Sequence, residues 1–194
     1  MKSILKNRRL ILGSKSPRRS QLLKEMDIPF VKKTADVEEI FPDTMPVKKV
    51  AEYLAKLKAT AMIGRLKGDD VLLCADSVVI CEGKIYGKPR SKAEAKRFIN
   101  TLLDNKHLVV TGICIADKNN MVSASEISEV TLGSLQPKEI KYYVDMYEPL
   151  DKAGAYGIQE WFGHATIKSM KGTYTNIMGL PTRLVYDKLK EFCK

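Results

Sequence analysis

Between Leu10 and Arg19 the chain reads Leu-Ile-Leu-Gly-Ser-Lys-Ser-Pro-Arg-Arg. An apolar strand runs into a Gly/Ser turn, and the turn opens a helix. Ser16 is a natural N-cap and Pro17 fits the first helical position. The unpaired N–H groups of such a helix start attract anions. Arg18 and Arg19 carry the wrong charge for that end, opposing the helix dipole by about 0.3–1 kcal/mol each. They make sense if an anion binds between them and the turn, and phosphate fits the arginine fork best. Two solvated arginines beside an ordinary cap would give the same spacing. If phosphate is their partner, replacing either by alanine should weaken binding of a phosphate-bearing ligand and cost folding little.

Asp76 is the strongest single candidate for chemistry. Val71–Ala75 precede it and Val78–Cys81 follow Ser77, all apolar. A carboxylate in a buried strand is costly unless it is paired or binds a metal. It could be a general base, or an aspartate bonded to backbone N–H groups at a bulge. Asp36, Glu38 and Glu39 form a second acidic run. With Asp76 they could supply oxygen ligands for Mg²⁺, which keeps waters and substrate phosphates as its other ligands. A solvated loop would look the same. Lys58, Lys88 and Arg90 are cations within reach of a polyphosphate. The stretch from Glu148 to Gln159 is rich in glycine and alanine and ends in an amide. Close backbone approach and a donor–acceptor side chain suit recognition of a base edge.

These residues need elements to hold them. A strand is expected at Leu10–Leu12, a helix at Pro17–Met26 and a strand starting at Pro29–Val31. The next helix places Val50, Tyr53, Leu54, Leu57 and Ala61 on one face at helical period. Val71–Cys81 is an apolar strand, Glu82-Gly83 a hairpin turn, and Ile85–Arg90 a loop. Ser91 and Glu94 cap a helix that runs to Leu103. His107–Ala116 and Val122–Leu132 are strands joined by a turn at Asp117–Asn120. Pro137 opens a helix ending near Met146, Glu148–Gln159 is a loop, and His164–Met170 alternates like a strand. Gly172–Pro181 is a loop before a last helix at Thr182–Phe192. His107 is expected to pack or cap, and Trp161 and Phe162 to join the core. The order is mixed α/β, and its hairpins exclude a purely parallel sheet.

The 194 residues suffice for one packed domain, with two lobes within its reach. Thirty-three basic against 23 acidic residues give a net charge of +10, which favours anionic partners. The excess is spread along the chain. No basic stripe interleaved with aromatics marks a nucleic-acid module. The four cysteines form no CxxC pair and the two histidines add no zinc spacing. A reducing cytoplasm without disulfides is expected. No run approaches a membrane span or a signal segment. Walker A and GxGxxG patterns are absent, so neither a P-loop nor a Rossmann site is indicated.

Taken together the motifs resemble the Maf family of nucleoside triphosphate pyrophosphatases over nearly the whole chain. Ser14–Arg19 is similar to its SxSPRR, and Asp36-Val37-Glu38-Glu39 stands at its acidic motif. Lys58-Ala59 ends its LAxxKA pattern, Ala75–Val79 resembles AD(T/S)VV, and Gly87–Arg90 resembles GKPR. Val110-Thr111-Gly112, Asp151–Gln159 (DKAGAYGIQ) and Gly179-Leu180-Pro181 match further motifs. Departures are Ser77 for the commoner threonine, Met146-Tyr147 before Glu148-Pro149, and Glu160 where glycine is common.

The resemblance implies a single domain over 1–194. Its fold would be a mixed α/β one around an elongated sheet, similar to inosine triphosphate pyrophosphatase, with the nucleotide in a cleft between two lobes. It implies hydrolysis of a nucleoside triphosphate, dTTP and UTP first, to the monophosphate and pyrophosphate. Asp76 would be the catalytic base or water-orienting group. Ser14, Ser16, Arg18, Arg19, Lys58, Ser77, Lys88 and Gln159 would bind substrate, with Arg19, Ser77 and Gln159 setting selectivity. Glu38, Glu39 and Asp76 would hold a divalent cation, Mg²⁺, Mn²⁺ or Co²⁺. A homodimer is an assembly the family often takes, and neither nucleic acid nor membrane is implied as a partner. The alternative from another class is a non-catalytic nucleotide-binding regulator of cell division and septum formation.

Overall fold

A computed structural model describes residues 2–194. In chain order the elements are β1 (Leu10–Leu12), α1 (Pro17–Glu25), β2 (Phe30–Lys32), α2 (Val50–Ile63), β3 (Val71–Cys81), β4 (Lys84–Tyr86), α3 (Lys92–Leu102), β5 (Lys106–Ala116), β6 (Met121–Leu132), α4 (Pro137–Tyr147), α5 (Trp161–Thr166), β7 (Ile167–Lys171), α6 (Tyr174–Met178) and α7 (Thr182–Phe192). The mixed α/β class is as expected. Three local expectations are corrected. Ile85-Tyr86 belongs to β4 rather than a loop, because the Glu82-Gly83 turn brings it back onto β3 with Cys81 opposite Lys84. Both turn residues have positive φ, 51° and 75°, the geometry that matches strand twist. His164 lies in α5, so the following strand starts only at Ile167. The expected loop after Gly172 contains α6, a helix of five residues. α5 and α6 are too short to announce themselves by periodicity.

The chain forms two compact units. The first takes residues up to Asp76 with Thr111–Glu126 and Gly179–Lys194; the second takes Ser77–Val110 and Ile127–Met178. In the first, β1 lies between β2 and β3 and is parallel to both, with Leu10 opposite Phe30 and Val71. α2 covers a core of Ile11, Leu72, Cys74 and Cys114. Its buried face is Val50, Ala51, Leu54, Ala55, Ala59 and Met62. This corrects the expected stripe: Tyr53 and Leu57 are only half-buried and Ala61 is exposed. The reason is close approach. A Cβ on Gly112 of β5 would stand 2.3 Å from the Glu52 backbone. Alanines four residues apart let the α2 backbone lie against that glycine, and larger side chains are displaced to the flanks.

In the second unit β3 is flanked by β4 and β5, and β6 pairs antiparallel with β7. Its core gathers Ile99, Leu102, Val130, Leu132, Tyr143 and Phe162. Ser91 caps α3 as expected, its Oγ accepting from the Glu94 N–H at 3.1 Å, but the Glu94 carboxylate accepts from the Arg90 N–H at 2.6 Å and does not close the expected box with Ser91. α4 has a capping box between Gln136 and Glu139. All four cysteines are buried free thiols. No helix among the described residues is long and apolar enough to cross a membrane.

Gly112→Ala tests the close approach. The added methyl meets backbone rather than a movable side chain, so the loss should reach at least about 3 kcal/mol, the upper end for overpacking. Urea unfolding reads it, and wild-type stability would show that α2 does not rest on Gly112.

Candidate active site

The Gly/Ser turn after β1 builds the first part of the site. Ser16 caps α1, accepting from the Arg19 N–H at 3.4 Å, with Pro17 next in the helix. Ser14, almost fully buried, accepts from the Ser16 N–H at 3.2 Å and from Arg19 Nη1 at 3.2 Å. Arg19 does not project outward as a charge at a helix end would. Its Nη1 donates to the Ala75 carbonyl at 2.8 Å and its Nε to the Gly179 carbonyl at 2.7 Å. Burial pulls the Arg19 guanidinium below its ordinary range, opposed chiefly by the charge of Asp76. Arg18 is half-buried one position earlier.

Arg19 thus holds the carbonyl just before Asp76, and Lys58 holds the carboxylate itself. Asp76 is 6% exposed. The ammonium of Lys58, presented by α2, lies 3.1 Å from Asp76 Oδ2 and 2.7 Å from Glu39 Oε1. A buried anion therefore has its counter-charge, and a second carboxylate shares it. The expected acidic trio is only partly assembled. Glu39 and Asp76 converge, Glu38 is exposed, and Asp36 forms an ion pair with Lys15 at the surface. Among the described residues no three histidine, cysteine or acidic side chains group to hold a metal. Two hard oxygen donors converging on one cationic position still fit a Mg²⁺-class ion, which takes one or two carboxylates and completes its shell with phosphate and water.

The remaining candidates lie in the second unit. Ser77 is half-buried in β3, and Lys88 is exposed after β4. The loop from Glu148 to Gln159 is tied to the Lys88 segment by a 3.1 Å bond from the Gly154 N–H to the Gly87 carbonyl. Gly154 has φ of 70°, and a Cβ there would stand 2.9 Å from Val79 Cγ2, so only glycine lets the loop approach β3. Two short 3₁₀ turns, Pro149–Asp151 and Ala153–Ala155, occupy what was expected as plain loop. Gln159 Oε1 is buried and has no hydrogen-bond partner among the described residues. Such an acceptor costs about 1–3 kcal/mol unless something donates to it.

Sequence reasoning passed over the residues that hold this loop. Tyr143 Oη donates to Glu160 Oε2 at 2.5 Å, and Lys152 Nζ lies 3.0 Å from Glu160 Oε1. Glu160 differs from the residue common at its place, which was the one available signal. His107 packs, as expected, with Nε2 2.7 Å from the Tyr156 hydroxyl. Burial pulls it down to about 4, so it is neutral at pH 7.

A family model described as Maf-like protein matches residues 9–192. A Flavobacterium johnsoniae protein named dTTP/UTP pyrophosphatase is 40% identical over 189 residues, covering 97% of each chain. A Porphyromonas gingivalis protein of the same name is 44% identical over 191 residues, 97% of this chain and 96% of that one. Among solved structures, the Staphylococcus aureus Ham1 protein superposes with a TM-score of 0.54 at 16% identity, over 93% of this chain and 100% of that one, a likeness of fold.

The bonds of Arg19 reverse the expectation that its loss would spare folding. Arg19→Ala removes donors to the Ala75 and Gly179 carbonyls. At about 1.5–3 kcal/mol for each bond to a charged group, the loss should exceed about 3 kcal/mol. Arg19→Lys should recover little, because one ammonium cannot span the fork. Thermal and urea unfolding without nucleotide read both variants; unchanged stability would leave Arg19 with a ligand-only role.

Proposed function

This chain belongs to the Maf family, and from that premise we propose that it hydrolyses nucleoside triphosphates, dTTP and UTP first, to the monophosphate and pyrophosphate. The observation that carries the reading is the buried Asp76 carboxylate held by Lys58, with Glu39 on the same ammonium and Arg19 on the adjoining carbonyl. The names of the Flavobacterium and Porphyromonas relatives support the substrate class. The match over residues 9–192 supports treating both units as one working domain.

Asp76 orients a water and takes its proton as the water oxygen bonds to the α-phosphorus. The bond from that phosphorus to the oxygen bridging to the β-phosphorus breaks, and pyrophosphate leaves with the electron pair. Lys58, Lys88 and the Arg18–Arg19 pair meet the phosphate charge, and the turn carrying Ser14 and Ser16 offers N–H donors. Positioning and charge neutralisation supply most of the rate in such chemistry. A divalent cation would be held by Glu39 and Asp76, with Glu38 next to Glu39 in the chain, and would neutralise charge developing on the phosphates. Ser77 and Gln159 contact the base, and the unpaired Gln159 Oε1 accepts from the ring N–H of thymine or uracil.

Asp76→Asn keeps the shape and removes the base. Pyrophosphate release from dTTP should fall at least about 100-fold with the fold intact. Near-wild-type turnover would remove Asp76 from the reaction, and nucleotide binding without turnover by the wild type would favour a regulator. Exhaustive chelation should abolish pyrophosphate release and Mg²⁺ or Mn²⁺ should restore it. Full activity in the chelated protein would refute the metal-dependent reading.

A further inference from the structure

We propose that Glu160 is a positioning residue for base selection, acting through the Gln159 it adjoins; the inference rests on the reading of Gln159 as the base-contacting amide. Glu160 occupies the N-cap position of α5 yet makes no capping bond with its side chain. Serine, threonine, asparagine or aspartate would serve that helix better. Its carboxylate is directed elsewhere. One oxygen accepts from Tyr143 Oη at 2.5 Å and the other meets Lys152 Nζ at 3.0 Å. Lys152 is itself 8% exposed and also bonds Asp151 at 2.7 Å.

These ties close a ring around two residues. The Gly157 N–H donates to Tyr143 Oη at 3.1 Å, and the Glu160 N–H donates to the Gly157 carbonyl at 3.2 Å. Ile158 and Gln159 are thus the middle of a turn whose two ends are joined through one phenol and one carboxylate. Burial and the Glu160 charge both push the Tyr143 phenol up, so it stays a donor. Gly157 leaves the space the carboxylate needs: a Cβ there would stand 2.7 Å from Glu160 Cδ. Gly163 closes the other side, where a Cβ would meet the Ile158 carbonyl oxygen at 2.0 Å. The turn is therefore held from both flanks, and the amide it carries keeps a buried, unpaired oxygen. A loose turn would let that oxygen find water or a backbone N–H. Held in place, it waits for a donor that only a suitable base brings.

The test is the ratio of kcat/KM for dTTP to that for dATP in Glu160→Ala, Glu160→Gln and Tyr143→Phe, with Gln159→Ala for comparison. In Glu160→Ala the ratio should fall at least about tenfold, within the range that pocket contacts command, and the loss should appear as a raised KM for dTTP. Glu160→Gln and Tyr143→Phe should fall between. The effects of Gln159→Ala and Glu160→Ala should not multiply in the double variant, since they act on one contact. A general weakening of the fold would lower both substrates alike and leave the ratio unmoved. If Glu160→Ala does not fold, Tyr143→Phe carries the same test. A folded variant with the wild-type ratio, or effects that multiply independently, overturns the role of Glu160 alone, provided Gln159→Ala lowers the ratio. A wild type with no preference for dTTP, or a Gln159→Ala with unchanged preference, overturns the base-selection reading and this inference with it.

Discussion

The first unit is arranged around one expensive object, an aspartate inside an apolar strand. Five apolar neighbours precede Asp76 and four follow Ser77, and all nine are buried. Burying one ion costs several kcal/mol unless a partner is placed with good geometry. Lys58 is that partner, and it comes from α2, whose distance from the sheet is set by the absence of a side chain at Gly112. The alanines of α2 serve the same approach. A glycine on one strand thus decides whether a charge on another can be tolerated. The same Lys58 gathers Glu39, so neutralising the core anion also draws a second carboxylate to its side.

Arg19, proposed to meet substrate phosphate, is also a structural group. At the start of a helix its charge is unfavourable. Its guanidinium offsets this by donating to two carbonyls and one hydroxyl, and so ties the Gly/Ser turn to Ala75 and Gly179. A turn held this way is ordered by bonds within the chain itself.

The second unit solves a different problem, holding an irregular loop still. The segment from Glu148 to Glu160 has little regular structure, and Glu148, Gly154 and Ala155 take left-handed backbone conformations. Its order comes from specific polar ties: Gly154 to Gly87, Gly157 to Tyr143, and Glu160 to Tyr143 and Lys152. The apolar support is the aromatic cluster of Tyr143, Tyr156 and Phe162, whose ring centroids lie 5.0–5.3 Å apart along the chain of contacts.

What the sequence determined by itself is what depends on a few neighbouring residues. The Ser16–Pro17 and Ser91–Glu94 helix starts, the Glu82-Gly83 turn and the buried β3 with one anomalous carboxylate were all legible. Each follows from a cap, a backbone preference or a transfer cost that acts within one turn of chain. The family motifs extended that reach, since their order along the chain carries information no single motif has. Only the tertiary structure decided which face α2 buries, that Glu39 rather than Glu38 joins Asp76, that Arg19 braces residues far along the chain, and that Glu160 holds the Gln159 turn. Those contacts join groups 160 residues apart for Arg19 and Gly179, 18 for Lys58 and Asp76, and 17 for Tyr143 and Glu160. A charged side chain takes whichever partner the packing of other elements leaves within about 3 Å, and that packing is a property of the whole chain.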